Sequence, residues 1–167
     1  MKRLPIAISK EEFIELIKNT KRTHHKLAFL LGFGAGLRIS EVLKLEQRDI
    51  NLKEKNIFIR SGKGDKDRIV PLPKGFKDIM VSLLPFKIGE RAIQKAIKRI
   101  AQKAGILKNK PEFHFHSLRH GFASHLAKMG VPIHHIRTLL GHANISTTNV
   151  YLELNPKEAI KVYEGLF

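Results

Sequence analysis

The sequence predicts a mainly α-helical domain that carries a small antiparallel β-sheet of about three strands. Along most of the 167 residues, apolar side chains recur at the three- and four-residue spacing of amphipathic helices. Two short runs rich in β-branched residues, 57–60 and 68–72, flank a glycine-rich, charged turn, which is typical of a β-hairpin. No linker-like stretch or internal repeat divides the chain, so we expect a single domain over residues 1–167.

The first two predicted helices precede the hairpin. Ser9 and Glu12 have the spacing of a capping box and are followed by apolar residues at helical spacing, so a helix should begin there. We expect it to end near Asn19 and Thr20. Residues 25–33 are apolar enough to predict a second helix that is buried.

A glycine-rich turn is predicted after that buried helix. Gly32, Gly34 and Gly36 are expected to loosen the backbone before the helical pattern resumes, so Arg38 should open a third helix. The segment 49–52 is the candidate for a third strand beside the hairpin.

The second half of the chain is predicted to be helical throughout. Gly105, Gly130 and Gly141 each follow an amphipathic segment, where a glycine commonly ends a helix. The predicted helices cover residues 76–84, 90–104, 117–129, 132–140 and 156–164.

Charge is the most informative feature of the composition. The chain has 31 Lys and Arg against 15 Asp and Glu, a net charge of +16. Between Arg91 and Arg137 there are ten basic residues and one acid, Glu112. This concentration predicts a polyanionic partner, with double-stranded DNA as the leading candidate. The alternative is that a lysine-rich surface serves only solubility or heat adaptation.

Several classes of protein and site are disfavoured by what the sequence lacks. There are no cysteines, which excludes disulfides, thiolate metal sites and cysteine nucleophiles. No apolar run approaches the roughly 18 residues of a membrane span, and no secretory signal is recognisable, so we expect a cytoplasmic protein without membrane contact. The phosphate-binding loop of ATPases is also missing, so ATP is not expected as a cofactor.

Two histidine-containing segments and a tyrosine contain the candidate catalytic residues. His116 and Arg119 lie three residues apart at a helix start, so they share a face beside the N–H groups that bind phosphate. A surface or capping histidine is the alternative. His142 follows a helix, and Tyr151 comes nine residues later, although a tyrosine in such a setting is commonly a half-buried packing residue. We expect no metal at His116 and His120, because Arg119 between them would repel a cation.

The order of five segments resembles the tyrosine recombinase family, which includes phage integrases and Xer-like proteins, over nearly the entire chain. The first contains an arginine box, the second a hairpin lysine, and the third a His-x-x-Arg box. A Leu-Gly-His element and a tyrosine segment follow at the family's spacing. The matching residues are 36–41, 62–68, 116–120, 140–142 and 146–151.

This resemblance implies a DNA strand-breaking and rejoining enzyme that needs neither metal nor ATP. Tyr151 would attack the scissile phosphate to give a 3′-phosphotyrosyl link and a free 5′-hydroxyl. Arg38 and Arg119, as permanently charged planar groups, suit the non-bridging phosphate oxygens, and His142 would donate a further hydrogen bond. His116 would assist removal of the phenol proton.

The resemblance also implies that Lys63, on the hairpin, protonates the leaving 5′-oxygen, with Lys66 as the alternative general acid. Glu41 either orients an arginine or is a solvated helix residue, and His120 either supports the site or contacts phosphate. Tyr163 lies outside every matching segment and is interpreted as a packing residue. The residues expected to contact DNA are Arg68, Arg91, Lys95, Lys98 and Arg99.

Family members generally carry an additional N-terminal domain that clamps DNA, and we expect this chain to lack it. Segment 156–167 resembles the family's C-terminal helix, which implies docking onto a neighbouring subunit in a tetramer on DNA. Folding back onto its own domain is the alternative. Two other functions remain open, a non-catalytic DNA-binding regulator and a type IB topoisomerase-like enzyme.

Overall fold

The structure is a computed structural model, and it describes residues 5–60 and 66–141 together with residues 160, 161, 163 and 164. The helices are α1 (Lys10–Lys18), α2 (Thr23–Gly34), α3 (Ile39–Lys44), α4 (Glu90–Lys103), α5 (His116–Lys128) and α6 (Ile133–Leu140). The strands are β1 (Ile50–Asn51), β2 (Asn56–Ile59) and β3 (Arg68–Pro71). The predicted class, mainly α with a small sheet, is therefore confirmed.

The three strands form one antiparallel sheet in the order β1-β2-β3. Ile57 lies opposite Val70, and Phe58 lies opposite Ile69. Ile57 and Val70 are fully buried, whereas Phe58 is 40% exposed, because successive strand residues point to opposite faces. One face of the sheet therefore covers the core, and both the hairpin and the third strand are confirmed.

The first two helices begin and end close to their predicted positions. The Ser9 hydroxyl accepts a hydrogen bond from the Glu12 amide at 3.1 Å, and the Glu12 carboxylate accepts one from the Ser9 amide at 2.8 Å. This reciprocal pair confirms the capping box. The middle of α2 is buried through Leu27, Phe29 and Leu31, as expected for an apolar helix at the centre of the domain.

Two local predictions are wrong. Gly32 and Gly34 do not loosen the backbone, because α2 continues to Gly34 and packs there against other elements. The helical segment predicted over 76–84 is shorter than expected and forms a 3-10 helix, Asp78–Leu83. Pro85 lies just beyond it, and a residue that precedes proline avoids the α conformation.

The buried apolar residues that the structure describes form two clusters. The larger one joins α2, α4, α5 and the sheet. The smaller one lies beneath α6 and contains Phe122, Leu126, Val131, Ile136, Leu139, Leu140, Ile160 and Tyr163.

Tyr163 belongs to this smaller cluster. Its hydroxyl donates a hydrogen bond to the Gly34 carbonyl at 2.9 Å, and burial raises its pKa to about 12. These contacts confirm that Tyr163 is a packing residue. Residues 160, 161, 163 and 164 are helical, and the predicted start of this helix at 156 lies outside the described residues.

The described helices include none with the length and apolar character that spanning a membrane requires.

Candidate active site

Arg38 lies at the N-terminus of α3 and follows a backbone turn at Gly36. Gly36 has a left-handed backbone (φ 67°), and a Cβ there would lie 2.6 Å from the Phe122 ring, so both conformation and space require glycine. The Arg38 amide donates to the Glu41 carboxylate at 2.8 Å, and its guanidinium Nη1 donates to the same carboxylate at 3.3 Å. About a third of the Arg38 side chain (34%) remains exposed, so a ligand can reach it.

Glu41 is the acceptor at the centre of the site and is only 8% exposed. Its Oε1 and Oε2 accept hydrogen bonds from Arg68 at 2.8 and 3.0 Å, and Oε2 lies 3.9 Å from Arg119 Nη1. Burial alone would raise the pKa of this carboxyl, but the hydrogen bonds and charge of Arg68, with Arg38 and Arg119, lower it overall. Of the two interpretations left open, the structure favours Glu41 as the residue that orients arginines.

Arg119 extends from α5 into the interior and is 3% exposed. Its Nη1 donates to the Gly36 carbonyl at 2.8 Å, and its Nη2 donates to the Leu140 carbonyl at 2.6 Å. These bonds connect the turn before α3 with the end of α6. Arg119 and Arg38, which are far apart in the sequence, therefore meet at one carboxylate.

His116 begins α5, as predicted, and is half-buried beside the arginines. Burial, followed by the neighbouring charges of His120, Arg119, His114 and Arg38, lowers its pKa to about 4. The His120 ring meets it edge to face, with ring centres 4.7 Å apart. The His116 imidazole is therefore neutral at physiological pH and can accept a proton.

The structure contradicts the expectation that Arg68 contacts DNA. Arg68 is 7% exposed, its guanidinium faces Glu41, and its Nε donates to the Leu139 carbonyl at 2.9 Å. A strand residue two positions before buried Val70 points inward with it, and this alternation was the signal in the sequence that could have predicted the placement.

The hairpin and the C-terminal elements are only partly described. Lys66 is exposed at the start of the segment that enters β3. Lys63, His142 and Tyr151 lie outside the described residues, so their predicted roles remain predictions.

The remaining candidate DNA contacts lie on α4, whose buried face is apolar. Arg91, Lys95 and Arg99 are exposed, whereas Lys98 is half-buried and donates to the Pro111 carbonyl at 3.0 Å. The helix thus presents a row of cations along its outer face, which could follow a phosphate backbone.

Within the described part of the chain, no three His, Asp or Glu side chains are grouped so that they could hold a metal ion. Arg119 acts on both His116 and His120, and its charge opposes cation binding there.

Comparison with known proteins matches the chain to one family and to solved structures. The model of the phage integrase family matches residues 7–85 and 79–158. Tyrosine recombinase XerA of Thermococcus kodakarensis is 36% identical over an alignment of 181 positions, which covers 96% of this chain and 62% of the relative. The chain therefore spans less than two thirds of that relative's length.

Two solved structures share the fold over almost the whole chain. The crystal structure of XerA recombinase matches with a TM-score of 0.71 and 29% identity, covering 99% of this chain and 65% of that one. The XerH site-specific recombinase bound to difH substrate, in a pre-cleavage complex, matches with a TM-score of 0.69 and 26% identity, covering 98% and 55%.

Proposed function

The chain belongs to the phage integrase family, and on that premise we propose that it is the catalytic part of a site-specific tyrosine recombinase that cuts and rejoins double-stranded DNA. The observation that carries the proposal is that Arg38 and Arg119 meet at Glu41 and that a half-buried, neutral His116 lies close to both arginines. Two guanidinium groups suit a phosphate, and a neutral imidazole suits a phenol that must lose its proton.

In the proposed reaction, the Tyr151 oxygen attacks the scissile phosphorus. An ordinary tyrosine, with a pKa near 10, is ionised in only about one molecule in a thousand at pH 7, so His116 takes the phenol proton as the bond forms. Arg38 and Arg119 neutralise the non-bridging oxygens of the five-coordinate transition state, and His142 donates a further hydrogen bond.

The bond between phosphorus and the 5′-oxygen breaks as the new one forms, and Lys63 or, alternatively, Lys66 protonates the leaving oxygen. A 3′-phosphotyrosyl link and a 5′-hydroxyl result. Attack by a 5′-hydroxyl of another strand reverses the step, and since one phosphoester replaces another, neither ATP nor a metal is required.

DNA as the partner is supported by charge and by a relative. XerH, whose fold this chain shares, is bound to its difH substrate, and the present chain carries a net charge of +16. We propose that the outer face of α4 contacts the phosphate backbone, and that segment 156–167 docks onto a neighbouring subunit in a tetramer on DNA.

The test is capture of the covalent intermediate. The protein is incubated with a pool of nicked duplexes of random sequence, in which cleavage releases a short strand that diffuses away. Protein linked to DNA is then isolated under denaturing conditions and its DNA is sequenced. We expect an adduct that forms equally well with a chelator present, and the recovered sequences identify the target site.

Two tyrosine variants provide matched controls for this capture. Tyr151→Phe should abolish the adduct, whereas Tyr163→Phe, which removes only the hydroxyl bound to Gly34, should retain it. Binding without an adduct would indicate a DNA-binding regulator, and relaxation of supercoils without strand exchange would indicate a topoisomerase-like enzyme. Loss of the adduct in chelator would contradict the metal-free mechanism.

A further inference from the structure

Two buried arginines from different elements connect the same two segments of the chain. Arg68, from β3, joins Glu41 to the Leu139 carbonyl. Arg119, from α5, joins the Gly36 carbonyl to the Leu140 carbonyl. The loop and helix start that carry Arg38 are therefore held to the end of α6 by two parallel bridges.

Arg68 binds both oxygens of Glu41, and each of those oxygens also binds Arg38. Oε1 accepts from Arg68 Nη1 at 2.8 Å and from Arg38 Nη1 at 3.3 Å. Oε2 accepts from Arg68 Nη2 at 3.0 Å and from the Arg38 amide at 2.8 Å. The orientation of the carboxylate that holds Arg38 is thus set by the planar fork of Arg68.

The end of α6 leaves room for this guanidinium. A Cβ on Gly141 would lie 2.9 Å from both Cδ and Nη1 of Arg68, and the backbone of Gly141 is left-handed (φ 68°). The side chain of Arg68 therefore lies against the backbone at the helix end, where little lateral movement is possible.

From these contacts we infer that Arg68 is a positioning residue for the phosphate-binding arginines, and that it acts through Glu41. The inference rests on the proposed function. All three guanidinium nitrogens of Arg68 donate to Glu41 or to the Leu139 carbonyl, so we assign it no contact with the substrate. Its removal should misplace Arg38 and leave the DNA-binding surface intact.

The first measurement compares Arg68→Lys with wild type on the target site recovered by adduct capture. Lysine keeps the charge but cannot bind both Glu41 oxygens and the Leu139 carbonyl together. We expect the single-turnover rate of adduct formation at saturating DNA to fall about tenfold to a hundredfold, as when a reacting group is displaced, with the Kd for DNA unchanged. Arg60→Lys is the matched control, because Arg60 pairs with Asp49 near the same sheet but away from Glu41, and its rate should stay near wild type.

A second substrate separates positioning from general damage to the fold. Replacing a non-bridging oxygen of the scissile phosphate with a methyl group removes a negative charge that the arginines neutralise. If Arg68 acts through Arg38, the difference between wild type and Arg68→Lys should shrink on this neutral substrate. An equal loss on both substrates would overturn the inference.

A double-mutant cycle tests the route through Glu41. The effects of Arg68→Lys and Glu41→Gln on the rate should be strongly non-additive, as expected for groups in direct contact, and additive effects would refute the route.

If Arg68→Lys does not fold, Gly141→Ala takes its place in the two-substrate comparison and in the double-mutant cycle. This substitution displaces the guanidinium without removing it. Failure of wild type to form any adduct would reject the proposed function itself, whereas wild-type activity with unaffected variants would reject only the role of Arg68.

Discussion

At the residue scale, the buried carboxylate of Glu41 is what brings the arginines together. A buried carboxylate is costly unless it is paired and hydrogen-bonded. Arg68, Arg38 and Arg119 supply those partners. Glu41 in turn fixes the positions of the Arg38 and Arg119 charges. A cation cluster of this kind can remain assembled without a ligand because the carboxylate offsets part of its repulsion.

The lowered pKa of His116 gives a prediction about stability and pH. The folded-state pKa is about 4 against an ordinary 6.5, so between these values the unfolded chain binds more protons than the folded one. Stability that is present above pH 6.5 should therefore be lost as the pH falls toward 4. We expect His116→Gln to lose less stability than wild type between pH 6.5 and 4, measured by urea unfolding.

NMR titration of the His116 ring should give a midpoint near 4. His134→Gln, at an exposed position, is the control and should retain the wild-type dependence on pH. Equal losses in wild type and His116→Gln would show that burial does not disfavour the charged ring.

At the element scale, the end of α6 is both a helix terminus and a wall of the site. Gly141 ends the helix in a left-handed conformation, and the Arg68 side chain lies against it. Gly130 ends α5 with a similar conformation (φ 83°) but has no atom within 4 Å of a Cβ placed on it. The two helix ends therefore differ mainly in the presence of the arginine.

This difference makes the two glycines a matched pair. Gly130→Ala should cost about 1–2 kcal/mol, the usual penalty for a left-handed alanine. Gly141→Ala should cost about 1–3 kcal/mol more, because the methyl group overpacks against Arg68. Chemical denaturation of both variants measures the difference, and equal costs would mean that Arg68 moves aside freely.

At the scale of the whole molecule, the positive charge is unevenly distributed. The exposed face of α4 carries Arg91, Lys95 and Arg99 close together, on a chain with an overall charge of +16. Such a row can follow a phosphate backbone, whereas charges scattered over other elements raise attraction without forming a common contact.

We therefore expect glutamine substitutions at Arg91, Lys95 and Arg99 to reduce the salt dependence of DNA binding. Each phosphate contact contributes about 0.9 to the slope of log affinity against log salt, so three lost contacts lower it by up to about 2.7. A control with the same change in net charge substitutes the exposed Lys18, Lys53 and Lys77. If both triple variants change the slope equally, net charge and not the α4 face governs binding.

The sequence by itself determined most of the elements, because apolar periodicity, capping residues and glycine stops are local properties of the chain. The capping box at Ser9, the hairpin strands and the end of α6 at Gly141 are all of this kind. Helical spacing also indicated that His116 and Arg119 share a face, whereas only the order of family motifs joined Arg38 to them.

Only the tertiary structure decided which way Arg68 and Glu41 point and what they bind. From the sequence, the role of Glu41 was left open and the placement of Arg68 was predicted wrongly, because a charged side chain is normally solvated. Whether either is buried depends on the other, which lies 27 residues away in the sequence. The same holds for the pKa of His116, which is set by desolvation and by charges from other segments. Local patterns determine where helices and strands form, whereas contacts between distant segments determine which charges are buried together.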